Sequence, residues 1–350
     1  MKNFDERIMQ EALTLATKGW GKTGINPLVG AVVVKKGRIV GRGFHRKLGE
    51  AHAEVCALIE SGKNAQGATI YVNLEPCCFS GRTPPCVEAI IKAGIKRVVI
   101  GMTDPNPMVN GNGIKILQEK NIEVIGGILE KQARDLNRWY QKYITTKKPY
   151  IILKIAASKD GRITNFKDKY ITSLKSRRYV HSLRSQVGAI LVGINTILKD
   201  NPYLTDRLIG RNNPARIVLD PHLKIPLEAN FLIPDARRII ITSEDNDRNK
   251  IQQLKEKGAE ILSFKGDYYP LELVFEELGK REIGSILIEG GGIVFSQILT
   301  KSLYDELSIF VAPEIIGTGL DFLKENSIEL QKMNSMDLNG DKLYYVHRYN

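Results

Sequence analysis

Residues that can bind a metal and transfer protons lie close together in the first third of the chain. His52 is followed two residues later by Glu54, and Cys77 and Cys86 occur shortly after them. One histidine and two thiolates suit a catalytic zinc ion, because a structural site usually takes four protein ligands. A glutamate beside such an ion can transfer the protons of an activated water molecule. The pattern therefore predicts a hydrolytic deaminase site rather than a structural zinc site.

The segments after His52 and after Cys86 are each predicted to begin a helix. Residues i and i+2 of a helix diverge, so His52 and Glu54 can address one ion only at a helix start. Each segment has helical apolar spacing and stops at a glycine, Gly62 or Gly94. Two helix N-termini near the metal would favour thiolates over thiols. The apolar stripe of the first helix is expected to consist of Val55, Leu58 and Ile59.

Alternative roles for the cysteines were weighed. A structural zinc site usually has paired C-x-x-C motifs, whereas eight residues separate Cys77 from Cys86. Cys78 is a conceivable fourth ligand, but adjacent side chains rarely reach one tetrahedral ion. Ordinary buried cysteines are the other alternative. Cys56, on the expected apolar side of the first helix, is predicted to be a packed core thiol.

Length and composition indicate two globular domains. A chain of 350 residues exceeds one ordinary core, and 43% hydrophobic with 26% charged residues is a globular balance. The net charge of +12 is spread out: residues 1–145 carry 21 Lys and Arg against 13 Asp and Glu, and residues 146–350 carry 30 against 26. This distribution does not predict a nucleic-acid partner. Without a targeting signal or a membrane-spanning apolar run, and with few cysteines, the sequence predicts a cytoplasmic protein.

Local patterns predict alternating strands and helices in both halves. The first half should contain a hairpin around Lys36 and Gly37, and the lysine-rich segment from Thr145 to Pro149 should join the domains. The strands predicted in the first half are Val29–Val34, Arg38–Gly43, Thr69–Asn73 and Val98–Gly101. Those predicted in the second half are Tyr150–Ala156, Ala189–Val192, Arg216–Leu219, Ile239–Thr242, Ile286–Glu289 and Leu307–Ala312, with helices at Ser173–Ser185 and Asp247–Lys257.

Motifs along nearly the whole chain resemble the bacterial bifunctional riboflavin-biosynthesis deaminase–reductases. The motifs are His52-Ala-Glu, Leu74-Glu-Pro-Cys, Gly81-Arg-Thr-Pro-Pro-Cys, Asp104-Pro-Asn-Pro, Lys154-Ile-Ala-Ala-Ser-Lys-Asp-Gly-Arg-Ile, Tyr170-Ile-Thr-Ser, Asp200-Asn-Pro and Ile288-Glu-Gly-Gly. The resemblance implies an α/β protein, with a cytidine-deaminase-like three-layer domain at residues 1–145 and a dihydrofolate-reductase-like α/β domain at residues 146–350. It implies deamination of 2,5-diamino-6-ribosylamino-4(3H)-pyrimidinone 5′-phosphate, followed by reduction of the ribosyl group to ribityl with NADPH. The partners are expected to be this phosphorylated pyrimidine and a second copy of the chain, with no nucleic acid and no membrane.

The resemblance also implies residue roles. The metal ligands are His52, Cys77 and Cys86, and Glu54 is the proton-transferring residue. The substrate contacts in the first half are Asn26, His45, Ala53, Arg82, Asp104 and Asn106. The residues bordering NADPH are Ala156, Tyr170, Thr196, Asp200, Gly291, Gly292, Ile293, Val294, Phe295, Ser296 and Gln297. The substrate contacts in the second half are Asp168, Arg184, Leu204, Arg207 and Glu289. Without the resemblance, Asn26 and His45 fit turn or packing roles equally well.

Two features of the second half point to chemistry on their own. Lys154 lies in an apolar run, where a lysine is costly unless it meets a partner or a polar cleft. We expect Lys154 and Glu289 to polarise or protonate the substrate while NADPH delivers hydride to C1′. The turn Gly290–Gly292 after a strand can bring backbone N–H groups against a dinucleotide phosphate, although a tight structural turn explains it equally well.

The sequence departs from the family pattern at two places. Cys78-Phe79 stands where Ser-His is common, and the segment Thr164–Lys169 is short, with Asp168 where an uncharged residue is usual.

Two other functions are alternatives to a riboflavin-biosynthesis enzyme. A polynucleotide deaminase normally closes its zinc site with Pro-Cys-x-x-Cys and lacks a second catalytic domain. A zinc-stabilised scaffold has no need of Glu54.

Overall fold

The chain divides into two compact units, Met1–Lys147 and Lys148–Asn350. The computed structural model describes residues 2–81, 83–163, 170–210, 213–266, 270–318 and 320–348. Each unit has its own β-sheet and its own hydrophobic core. Within the described ranges, no helix is both long and apolar enough to cross a membrane.

The first unit is built on a sheet in the order β2-β1-β3-β4-β5. Strand β1 pairs antiparallel with β2 and with β3, whereas β3, β4 and β5 are parallel. The structure confirms the predicted hairpin and the two strands that follow it, whereas the short strand β5 was not predicted. The strands are β1 (Gly30–Lys35), β2 (Arg38–Phe44), β3 (Thr69–Leu74), β4 (Arg97–Met102) and β5 (Glu123–Ile125).

Helices cover both faces of this sheet. Helix α1 packs on β1 and α2 packs on β2, and Gly30 faces α1 while Gly43 faces α2. Gly43 pairs with Ala31, the neighbour of Gly30, and successive strand residues point to opposite faces, so the two helices lie on opposite sides. The unit therefore has three layers. The helices are α1 (Lys2–Ala16), α2 (Ala53–Ser61), α3 (Cys86–Lys92), α4 (Asn112–Glu119), α5 (Glu130–Leu136) and α6 (Arg138–Thr146).

The buried face of α2 differs from the predicted apolar stripe. Ile59 is 73% exposed, and Cys56 is only partly buried, so the prediction of a core thiol is wrong. The helix instead packs through small residues, because an added Cβ at Gly43 would lie 2.1 Å from the Ala53 carbonyl oxygen. Such close backbone contact has no room for large side chains between helix and strand. The residues of α2 that are buried are Ala53, Glu54, Ala57, Leu58 and Ser61.

The second unit has a sheet in the order β10-β9-β8-β7-β11-β6-β12-β14-β13. The strands from β10 to β12 in this order are parallel, and β14 and β13 add an antiparallel edge. The strands are β6 (Tyr150–Ala157), β7 (Ala189–Gly193), β8 (Ala215–Leu219), β9 (Arg238–Ser243), β10 (Glu260–Phe264), β11 (Ser285–Gly290), β12 (Glu306–Val311), β13 (Asn334–Leu338) and β14 (Asp341–His347).

The helices of the second unit follow most of the parallel strands. Both predicted helices are confirmed, and each begins after a side chain that caps it: Ser173 before α7 and Asp247 before α9. Because β6, β7 and β11 are parallel, their carboxyl ends lie at the same edge of the sheet. The helices are α7 (Leu174–Gln186), α8 (Ile194–Asp200), α9 (Arg248–Glu256), α10 (Leu271–Lys280), α11 (Gly292–Thr300) and α12 (Phe322–Glu325).

Candidate active sites

The predicted metal ligands of the first unit converge at two helix starts. His52 is the residue preceding α2, Cys86 is the first residue of α3, and Cys77 lies in the loop after β3. Their ligand atoms all lie within 4.8 Å of one another. The His52 Nδ1 atom is 3.2 Å from Cys86 Sγ and 3.5 Å from Cys77 Sγ, so this nitrogen faces the sulfurs. The Cys86 thiol beside Cys77 lowers the pKa of the Cys77 thiol, which favours a thiolate.

The other ring nitrogen of His52 is held by a residue that the sequence did not single out. Thr83 Oγ1 lies 3.0 Å from His52 Nε2. Because Nδ1 is directed at the sulfurs, Nε2 carries the ring proton and donates a hydrogen bond to Thr83 Oγ1. This hydrogen bond fixes the tautomer in which Nδ1 is unprotonated and free to bind a metal. Cys78 is not part of this group, and its Sγ contacts the carbonyl oxygen of Met108 at 3.6 Å.

Glu54 lies beside the cluster with a free carboxylate oxygen. Its side chain is buried, and its Oε2 atom has no hydrogen-bond partner among the described residues. Burial, followed by the nearby Cys77 thiolate, raises the pKa of the Glu54 carboxyl to about 7. A buried acceptor without a partner is costly, and it is the group expected of a residue that must take a proton from water.

Asn26 and His45 form one hydrogen-bonded pair next to His52. The His45 ring lies 5.3 Å from the His52 ring, centroid to centroid, and His45 Nδ1 is 3.3 Å from the carbonyl oxygen of Ala51. A carbonyl only accepts, so Nδ1 carries the proton and His45 Nε2 accepts from Asn26 Nδ2 at 3.0 Å. Burial lowers the pKa of His45, which keeps this ring neutral. The Ala53 side chain is fully buried at the start of α2.

Asp104 and Asn106 are held in a loop that follows β4. Asp104 is buried, and its Oδ1 accepts from the Asn106 backbone N–H at 2.9 Å. Burial is the largest cause that raises the pKa of the Asp104 carboxyl to about 6. The buried Glu75 carboxylate anchors this loop, because it accepts from the N–H groups of Asp104, Gly111 and Ile114 at 3.2, 2.9 and 3.2 Å. Arg82 lies outside the described residues.

A second polar cluster lies at the carboxyl edge of the parallel strands in the second unit. Arg184 on α7 donates two hydrogen bonds to the Glu289 carboxylate, both 2.6 Å long, and a third of 3.2 Å to the Thr205 carbonyl oxygen. Burial favours the neutral acid at Glu289, but Arg184 more than offsets it and the pKa of Glu289 is lowered. Burial lowers the pKa of Lys154, and the nearby Glu289 carboxylate acts in the opposite direction by stabilising the charged ammonium group. Glu289 therefore supplies the charge that compensates Lys154 in its apolar strand.

The glycine turn after β11 has geometry that other residues rarely adopt. Gly291 has φ +93°, and an added Cβ at Gly290 would lie 2.6 Å from Thr196 Oγ1. No side chain caps the start of α11, so its first N–H groups are available to an anion. Val294 and Phe295, however, point into the core of the unit, which limits them to backbone contacts with a cofactor.

The other residues expected to line the second site differ in their exposure to solvent. The Tyr170 hydroxyl accepts from Arg207 at 3.2 Å. Leu204 is buried with φ +51°, whereas Asp200 is exposed at the end of α8. Asp168 lies outside the described residues. Among the remaining implied cofactor residues, Ile293 is exposed, and Ala156, Thr196, Gly292, Ser296 and Gln297 are partly buried.

Comparison with known proteins gives matches over both units. Residues 149–341 match the model of the RibD C-terminal domain, and residues 2–102 match the cytidine and deoxycytidylate deaminase zinc-binding region. The chain is 43% identical, over the full length of both sequences, to riboflavin biosynthesis protein RibD of Aquifex aeolicus. The chain belongs to the RibD family. It is 40% identical to RibD of Escherichia coli, with 90% of this chain and 89% of the relative covered.

Solved structures agree with this family membership. RibD of Acinetobacter baumannii superposes with a TM-score of 0.87 at 35% identity, covering 99% of each chain. The Thermotoga maritima protein described as a diaminohydroxyphosphoribosylaminopyrimidine deaminase and 5-amino-6-(5-phosphoribosylamino)uracil reductase gives 0.86 at 37% identity, again with 99% of each chain covered. As a RibD family member, the chain is a bifunctional riboflavin-biosynthesis enzyme with a zinc-dependent deaminase and an NADPH-dependent reductase activity. The full-length match decides against the polynucleotide deaminase and the scaffold.

Proposed function

We propose that the unit Met1–Lys147 deaminates 2,5-diamino-6-ribosylamino-4(3H)-pyrimidinone 5′-phosphate, and that the unit Lys148–Asn350 reduces the ribosyl group of the product. The observation that carries the first assignment is the approach of one imidazole nitrogen and two sulfurs beside the buried carboxylate of Glu54, whose Oε2 has no hydrogen-bond partner among the described residues. The proposal takes its substrate from the activities named for the Thermotoga maritima relative.

The donor set fits zinc. His52 Nδ1, Cys77 Sγ and Cys86 Sγ are borderline-soft nitrogen and sulfur ligands, and three protein ligands leave one coordination position for water. When bound, zinc supplies the Lewis acidity that activates water near neutral pH. The Thr83 contact with His52 Nε2 keeps the ligating nitrogen unprotonated.

Glu54 carries the proton transfers of the deamination. Its free Oε2 accepts a proton from the attacking water, and the same carboxyl then donates a proton to the leaving amino group at C2 of the pyrimidinone. Asn26, His45, Asp104 and Asn106 provide hydrogen-bonding groups for the pyrimidinone. Arg82 is proposed to bind the phosphate, because a guanidinium can pair with it through two parallel hydrogen bonds.

In the second unit, Lys154 is the better candidate for proton donor. When bound, NADPH would supply a hydride for C1′ of the ring-opened imine, whose nitrogen then needs a proton from a residue of the protein. Glu289 is ionised by its bidentate pair with Arg184, so it has no proton to give near neutral pH. Lys154 has a lowered pKa and therefore releases its proton more readily than an ordinary lysine. Glu289 then positions Arg184 and stabilises the charged form of Lys154.

The uncapped glycine turn is proposed to receive NADPH. Gly291 and Gly292 expose backbone at the start of α11, and Thr196 packs against Gly290 from α8. We further propose, from the family resemblance, a homo-oligomer that works in the cytoplasm. We propose no nucleic-acid partner, because the positive charge is not concentrated in one segment. Size-exclusion chromatography with light scattering would test the first point, and a monomer would contradict it.

One assay tests both reactions. Zinc-loaded protein is incubated with the diaminopyrimidinone phosphate, with and without NADPH, and the products are followed by mass spectrometry. Without NADPH, we expect an amino group to be exchanged for oxygen; with NADPH, two hydrogens are gained as well. Glu54→Gln should lower deamination by at least ~100-fold while reduction of pre-deaminated substrate survives. Glu60→Gln, at an exposed position of the same helix, is the matched control. Loss of both activities in folded Glu54→Gln protein would contradict independent sites.

A further inference from the structure

Tyr140 on α6 makes a contact that neither the family motifs nor the zinc chemistry accounts for. Its hydroxyl donates to Asp104 Oδ1 at 2.8 Å. Burial, and after it the Asp104 carboxylate, raises the pKa of the Tyr140 hydroxyl, so the hydroxyl keeps its proton for this bond. The same Asp104 oxygen also accepts from the Asn106 backbone N–H, so one carboxylate oxygen joins Tyr140 to the loop proposed to contact the pyrimidinone.

Hydrogen bonds hold both polar side chains of this loop. Asn106 Oδ1 accepts from the Met108 backbone N–H at 3.1 Å, which anchors the side-chain amide within the loop. Asp104 Oδ1 is occupied by the Tyr140 hydroxyl and the Asn106 backbone N–H. Asp104 Oδ2 has no hydrogen-bond partner among the described residues, which leaves one oxygen to accept from a ligand.

The anchoring comes from two separate elements. Glu75, directly after β3, accepts a hydrogen bond from the backbone N–H of Asp104 at 3.2 Å. Tyr140 holds the side chain from α6, which is 36 residues away in sequence. A carboxylate anchored at the backbone alone can still rotate about its side-chain torsions, whereas a hydroxyl bond to one oxygen restricts that rotation.

We propose that Tyr140 is a positioning residue of the deaminase site, whose hydroxyl orients Asp104 so that Asp104 Oδ2 accepts a hydrogen bond from an N–H group of the pyrimidinone. The inference rests on the proposed function of the first unit. The Tyr140 ring is partly buried against the core, and the hydroxyl is the part that serves the site. Phenylalanine keeps the ring and removes only the hydroxyl, which separates packing from positioning.

Substrate affinity is the direct readout. In a zinc-loaded Glu54→Gln background, which should convert bound substrate at least ~100-fold more slowly, Tyr140→Phe should raise the dissociation constant of the diaminopyrimidinone phosphate roughly tenfold. In the Glu54 enzyme, KM should rise more than kcat falls, because binding is lost in both ground and transition states. Zinc content should be unchanged, and the melting temperature should fall by no more than the few degrees expected for one lost hydrogen bond. Tyr143→Phe, which removes a buried hydroxyl one turn later on α6, is the matched control and should leave the dissociation constant unchanged.

A double-mutant cycle tests whether Tyr140 acts through Asp104. In an Asp104→Asn background, Tyr140→Phe should weaken binding much less than in the parent, since the carboxylate it orients is gone. An equal loss in both backgrounds would overturn the positioning role, as would an unchanged dissociation constant in a wild-type enzyme that deaminates normally. A wild-type protein that binds zinc and shows no deamination would overturn the proposed function and this inference together.

Discussion

Gly43 offers a test of how tightly the metal site depends on helix–strand packing. An added Cβ at Gly43 would lie 2.1 Å from the Ala53 carbonyl oxygen and 2.5 Å from the Ala57 backbone nitrogen, whereas real Cβ contacts essentially never fall under 3.0 Å. In Gly43→Ala, α2 must therefore move away from β2 by about 1 Å. Because His52 and Glu54 lie at the first turn of α2, they move with it.

The expected effect is large on deamination and moderate on stability. A displacement of about 1 Å in a catalytic group can cost roughly 100-fold in rate, and overpacking of this kind typically costs about 1–3 kcal/mol of folding free energy. Gly126→Ala is the matched control in the same unit, since its added Cβ meets nothing within 4 Å and its φ is not in the left-handed region. Deamination rate, zinc content and thermal unfolding are measured for both variants, with reduction of pre-deaminated substrate as the internal standard.

If Gly43→Ala deaminates and melts like the Gly126→Ala control, then β2 and α2 tolerate a methyl group at their contact. The close approach would then have no bearing on the catalytic geometry. A loss of reduction equal to the loss of deamination would instead indicate damage to the whole chain.

Further outcomes follow from single side chains. Cys86→Ser should lose the zinc that Cys78→Ser retains by elemental analysis, and the opposite result would reverse the ligand assignment. Gly291→Val should weaken NADPH binding with zinc content intact; unchanged affinity would make the glycine turn purely structural. Phe79→Ala should raise the substrate KM more than it changes kcat, and Phe79→His should be tolerated; deamination that appears only in Phe79→His would mean a disabled first site. Burial lowers the pKa of His181 to about 4, below the unfolded value near 6.5. The contribution of neutral His181 to stability is therefore full above pH ~6.5 and is lost as the pH falls towards 4. The melting temperature of His181→Gln should accordingly vary less with pH over that range than that of the wild type.

Sequence patterns predicted the elements whose formation depends on neighbouring residues. The helix starts at His52 and Cys86, the strand before Gly290 and the capped helices after Ser173 and Asp247 all follow from short-range spacing and capping. Ligand types at fixed intervals were enough to name the three residues that converge in space.

Features that depend on distant contacts were missed or misjudged. Ile59 was expected in the core of the first unit and is exposed, because the depth of α2 is set by glycines on β2. Strand β13 is almost entirely exposed, so it has no apolar run from which to predict it. Nothing near Tyr140 in the sequence indicates its hydrogen bond to Asp104. Thr83, by contrast, lies inside the motif Gly81-Arg-Thr-Pro-Pro-Cys, so its motif position could have indicated its contact with His52.

The three hydrogen bonds to Glu75 have a consequence for ligand binding in general. They tie the backbone at Asp104, Gly111 and Ile114, while most residues between Asp104 and Gly111 remain partly or fully exposed, so the segment can be ordered and still open to solvent. Fixing a residue's backbone costs about 1–2 kcal/mol of conformational entropy, and here folding has already met that cost. A ligand that binds this segment meets a preorganised surface and keeps more of its interaction energy as affinity.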